Sequence, residues 1–155
     1  MTKFLLAVHV LAAIVAIGPV TVAASMFPPI ARKALAEPGD AQARSVVRLL
    51  HRICRVYATF GVVVPVFGFA TASTMGVLGD TWLIVSIALT ALAAVVLGAL
   101  VLPRQTAIME GIWDGVGAVT PRTTARLAMF TGIFNLLWAT VTILMIVRPG
   151  STTGA

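Results

Sequence analysis

In this 155-residue chain the residues able to do chemistry are few, and their spacing excludes most reactions. His9 and Asn135 stand alone in long apolar runs. An ionisable residue inside a bilayer is the usual mark of a pump, a carrier or a redox site. No Asp or Glu shares those runs, which argues against a small proton-coupled carrier. His9 is therefore either a hydrogen-bonded histidine within a bundle or part of a functional site with Asn135 or a partner subunit. Asn135 needs a partner on another helix, because an amide in hydrocarbon is costly to leave unpaired. That partner is either structural glue or a ligand. His51 and Cys54 are three residues apart and lack two further ligands for a metal. Met26, Met75, Met109, Met129 and Met145 are scattered, without the clustering that soft ligands need to hold Cu(I). Glu110 and Asp114, four apart, either hold a cation or pair with a basic helix, and the ion pair is expected. No Ser/His/Asp set, phosphate-binding glycine loop or zinc motif is present. The expectation is a non-enzymatic protein with no catalytic, cofactor-binding or metal residues.

The elements that carry these residues are unusually apolar. Hydrophobic residues make up 59% of the chain and charged ones 10%, against about 45–50% and about 25% in an ordinary soluble domain. With a mean hydropathy of +1.04, too few polar side chains exist to coat a globule. Crossing about 30 Å of hydrocarbon takes about 20 apolar residues in a helix. Four stretches qualify, at 4–27, 56–78, 81–102 and 127–147, and none contains Asp, Glu, Lys or Arg. Asp40, Asp80 and Thr120 stand where helix N-caps are needed, with Pro121 at a first helical position. Lys3 and the small residues Val22, Ala23 and Ala24 give the first span the outline of a signal peptide, but it is read as a retained helix. The fold expected is all-α: a four-transmembrane-helix bundle forming one membrane domain over 1–155, with a flexible tail at 148–155.

Charge then orients the bundle. The net charge of +6 comes from 11 Lys and Arg against 5 Asp and Glu. Arg32, Lys33, Arg44, Arg48, Arg52, Arg55, Arg104, Arg122 and Arg126 flank one side of the spans, against Lys3 and Arg148 on the other. The positive-inside rule places both long connections in the cytoplasm and both termini outside, in an inner or plasma membrane. The basic balance is thus accounted for without nucleic acid. Spans two and three, joined by the short link at 75–80, are expected to be antiparallel neighbours. His9 then sits about 9 Å from the outer end of span one and His51 on the opposite side, which disfavours a bis-histidine haem.

Small residues recur every fourth position at Gly68, Ala72 and Gly76, at Ala94 and Gly98, and at Ala12 and Ala16, a spacing that lets helix backbones approach closely. Pro19 and Pro65 should bend their helices. The connection at 103–121 fits a short interfacial helix anchored by Trp113. Just before span two, Arg44, Arg48, His51, Arg52 and Arg55 fall within about 100° of arc at helical spacing, with Val46, Leu49, Leu50 and Ile53 opposite. The four arginines either enforce topology or form a surface for anionic lipid headgroups or an acidic partner.

The run Leu6 to Ala13 around His9, continuing to Gly18-Pro19 and Phe27-Pro28-Pro29, resembles a bacterial family of small integral membrane proteins of unknown function. Ala-, Val- and Arg-rich composition would suit an actinobacterial source. More distantly, that family is similar to the membrane domain of copper-resistance proteins of the CopD type. The resemblance implies a four-span fold with His9 at the family's early histidine. The second membrane histidine of a CopD-like metal or haem site has no counterpart. The function expected is an accessory, assembly or lipid- or partner-binding subunit, acting as a homo-oligomer or within a larger membrane complex. A small oligomeric transporter or channel using His9 and Asn135 is the alternative, and copper or haem handling a more remote one.

Overall fold

The computed structural model describes residues 1–115 and 119–151 of the chain. Within them lie six α-helices: α1 (Thr2–Ala36), α2 (Ala41–Phe60), α3 (Val63–Met75), α4 (Thr81–Val95), α5 (Leu102–Asp114) and α6 (Pro121–Val147). A π-helical segment, Val96–Val101, joins α4 to α5 without a break. Four rods result, Thr2–Ala36, Ala41–Met75, Thr81–Asp114 and Pro121–Val147, each long and apolar enough to cross a membrane. The protein is an all-α, multi-pass membrane protein built as a four-helix bundle. Side chains such as Leu136 and Ile146, 70% and 72% exposed on α6, require lipid as their solvent.

The rods overshoot the apolar stretches. At 1.5 Å per residue, the 35 residues of α1 reach about 52 Å, so about 20 Å stands clear of the hydrocarbon. The helix passes through Pro19, Pro28 and Pro29 to Ala36. At the end of the bundle that carries most of the arginines, α1, α2, α5 and α6 enclose Phe27, Ala31, Val47, Leu50, Ile108 and Leu127, all buried. Outside the apolar stretches, at Val47, Leu50 and Ile108, such burial is stabilising at about 1.5–3 kcal/mol for each large side chain. Within the bilayer that drive is absent and close packing takes over.

The second rod breaks at Gly61-Val62. Pro65 has no N–H to give the Gly61 carbonyl, which accepts instead from Val64 at 3.2 Å in a tighter turn. Pro19, by contrast, lies inside a helix that continues past it.

Several expectations need correction. Spans two and three are not neighbours along their lengths. α3 packs on α1 and α4 on α6, while α1 and α6 pack on each other. Around the Met75–Asp80 link, Ala72, Val77, Trp82 and Leu83 form a separate small cluster. The far half of the bundle is therefore open between α3 and α4, while the basic half is closed by α2 against α5. Gly76 is not a packing residue: it ends α3 at φ 71°, a left-handed value that glycine adopts without strain. Gly98 is exposed, with nothing near its missing Cβ. Ala16 and Ala72 are buried as small packing residues. The stretch after Pro103 is no separate interfacial helix, because α5 prolongs the third rod. The glycine at 117 and the last four residues of the expected tail lie outside the described residues.

Asp40 caps α2, accepting from the Ala43 N–H at 2.9 Å. Asp80, at the equivalent position of α4, accepts from the Trp82 indole at 3.0 Å and caps nothing. Pro121 opens α6, where the Thr120 N–H donates to the Thr123 hydroxyl at 3.3 Å.

Candidate functional site

Toward the far end, His9 is buried between α1 and α3 and donates from Nδ1 to the Val64 carbonyl, 2.9 Å away. Gly68 makes the room, since a Cβ there would lie 2.9 Å from His9 Cε1. The glycine found in the small-residue pattern thus seats an imidazole. Asn135 is elsewhere. Its Nδ2 donates to Ser25 Oγ at 3.0 Å, and Ser25 in turn donates to the Thr21 carbonyl. Ser25 is 16 residues from His9 along α1, about 24 Å, so the two do not share a site within one chain. The interhelical partner expected for Asn135 is Ser25. Asn135 Oδ1 and Trp138 Nε1 are buried without a partner among the described residues.

The basic end brings more side chains together. α2 presents Ala43, Val47, Leu50 and Cys54 to the core. The basic arc flanks this face rather than opposing it, and Leu49 points outward, 55% exposed. His51 lies at the border of the two and is buried. Its Nδ1 is 3.0 Å from Gln105 Oε1, and Gln105 Nε2 donates to Cys54 Sγ at 3.5 Å. Phe27 packs against the His51 ring at 6.4 Å between centroids. Gln105 and Cys54 are both fully buried, and a buried amide must be paired. Sequence reasoning passed over Gln105. The usable signal was the His51/Cys54 pair, two polar groups on one buried helical face that needed a partner from another helix.

The four arginines serve two places, and Arg48 belongs to both. Arg44 and Arg48 stack on the Trp113 ring of α5, at 5.0 and 4.8 Å from its centroid. Each such contact contributes about 0.5–1 kcal/mol at an exposed site. Trp113 thus clamps α5 to α2. Arg52 and Arg55 are exposed. With Arg48, His51, Thr59 and Met109 they line an open cavity of about 450 Å³. That size is within the range of small-ligand sites, about 300–1,000 Å³. A second, smaller cavity of about 270 Å³ is lined by Arg104, Arg122 and Arg126 with Thr120 and Thr123. Arg104 is already engaged there, stacked 4.4 Å from the Phe130 centroid and donating to the Leu100 carbonyl at 2.9 Å.

Comparisons with protein-family models, with curated proteins and with solved structures return no match.

The expected ion pair of Glu110 or Asp114 with the basic helix does not form. Among the described residues the one salt bridge is Lys33–Asp40 at 3.3 Å, across the turn between α1 and α2. The Ala43 N–H, with Lys33 beside it, holds the Asp40 carboxyl below the usual carboxylate range. No three His, Cys, Asp or Glu come together to hold a metal among the described residues. What the cavity beside His51 offers is three guanidiniums at the level where the polar turns of α2 give way to its apolar span, an arrangement suited to an oxyanion.

Proposed function

We propose that this protein is a non-enzymatic, accessory membrane protein whose basic end binds the headgroups of anionic phospholipids. The observation that carries the reading is the cavity lined by Arg48, His51, Arg52 and Arg55. It opens beside Val56, where the apolar part of the second rod begins. Guanidiniums take a phosphate by forked, charge-assisted hydrogen bonds, and each basic residue near an anionic leaflet contributes about 1 kcal/mol. Nine of the eleven Lys and Arg flank this side, which by the positive-inside rule is the cytoplasmic one.

The test is lipid binding by the protein reconstituted in nanodiscs containing phosphatidylcholine with graded phosphatidylglycerol. Wild type should enrich phosphatidylglycerol, and Arg52→Glu with Arg55→Glu should abolish the enrichment while leaving helix content unchanged. Equal retention of the two lipids by wild type would overturn the reading.

A further inference from the structure

A generic anion site needs donors only, and Arg48, Arg52 and Arg55 have nothing else to offer. His51 differs. The amide of Gln105 turns its N–H toward Cys54 Sγ and its carbonyl oxygen toward His51 Nδ1. With the amide in this orientation Nδ1 carries the proton of the neutral ring, which leaves a lone pair on Nε2. Nε2 has no hydrogen-bond partner among the described residues, and His51 is one of the residues that line the cavity. One acceptor thus belongs to a cavity that three arginines line.

We propose that the cavity selects anionic phospholipids whose headgroup carries a free hydroxyl: the arginines take the phosphate, and the hydroxyl donates to His51 Nε2. The selectivity rests on the lipid-binding reading above and adds to it a chemical class of headgroup. A lipid source is favoured over a soluble phosphate ester because the cavity is walled by Val56, Thr59 and Met109 as well as by charge. Gln105 acts as a positioning residue, holding the tautomer without meeting the ligand.

Phosphatidylglycerol and phosphatidylethanol carry the same charge, and only the first has a headgroup hydroxyl. Their binding to the full chain in nanodiscs at pH 8, against phosphatidylcholine as the neutral reference, separates the possibilities. Wild type should bind both anionic lipids above the reference and phosphatidylglycerol about threefold to tenfold tighter than phosphatidylethanol, as one net hydrogen bond allows. His51→Phe should erase that ratio and keep the preference for anionic lipids; His51→Gln, which restores an acceptor, should recover part of it. Equal binding of the two anionic lipids by wild type, with both above the reference, would overturn the selectivity and leave the lipid site standing. Equal binding of all three would remove both. Competition by soluble glycerol phosphate at matched concentration would overturn the lipid source. Should His51→Phe fail to fold, the wild-type ratio alone decides.

Discussion

Gly68 lies directly against the imidazole of His9, so close that a single added carbon would stand 2.9 Å from Cε1. The contact ties α1 to α3 just beyond the break at Gly61-Val62, and the hydrogen bond from His9 to Val64 lies one turn away on the same helix.

Gly68→Ala should therefore displace the His9 ring and destabilise the protein by about 1–3 kcal/mol. His9→Ala alone should cost about 0.6 kcal/mol and at most about 1.7 for the interhelical hydrogen bond, plus the loss of packing. The double substitution should be less damaging than the sum of the two, because the clash disappears with the ring. Unfolding of all four proteins in one detergent measures the coupling, and strict additivity would contradict the contact.

Cys54 is the single cysteine and is fully buried. A thiol-reactive fluorophore should label wild type only as the basic end opens. Gln105→Leu removes two side-chain hydrogen bonds from the core and should lower stability by about 1–3 kcal/mol. Labelling at a fixed temperature should accelerate accordingly. Equal labelling rates in the two proteins would show that the Gln105 bridge does not restrain that core.

Trp113→Ala takes the platform from both Arg44 and Arg48. The expected loss is about 1–2 kcal/mol for two cation–π contacts, with Trp113→Phe losing less because its ring face is a weaker partner. The difference should persist in high salt better than that of a surface ion pair. Thermal unfolding at two ionic strengths checks both statements.

The turn between α1 and α2 should weaken in acid. The Asp40 carboxyl is held below its ordinary value of 3.8 by the Ala43 N–H and by Lys33. Its folded pKa is thus lower than its unfolded one, so its contribution is complete above the unfolded value. That contribution is lost as pH falls below about 4 and through the folded pKa. Asp40→Asn should flatten this acid dependence and keep the cap, whereas Asp40→Ala should fray the first turn of α2 at neutral pH. Hydrogen exchange at Ala43 and Arg44 reads the fraying.

The four spans were legible because hydrophobic length is a one-dimensional property, and the Asp40 cap because it is local. Pro65 announced the break for the same reason. What stayed hidden depended on which helices meet. The pairing of α3 with α1 rather than with α4 cannot be deduced from a short connection, since a turn fixes direction and not lateral contact. Asp80 is a cap by sequence, yet its carboxylate accepts from the Trp82 indole two residues on and makes no cap hydrogen bond. Gln105 lies 54 residues from His51, and nothing in either neighbourhood specifies the other. The arginine face was visible, but the stacking of Arg44 and Arg48 on Trp113 was not, because Trp113 comes from α5.

The π-helical segment Val96–Val101 has a consequence for every residue that follows it in the third rod. A π-bulge is in effect one residue inserted into an α-helix, and one residue is about 100° of rotation. The far half of that rod is therefore phased to pack on α6, while the half beyond Leu102 is phased independently to aim Gln105 and Ile108 into the core. Deleting a single residue from the segment would leave both ends helical and every side chain outside the segment intact, yet turn Gln105 away from His51 and Trp113 away from its two arginines. The basic end is assembled by an angular offset, and that offset is written in six apolar residues that themselves do no chemistry.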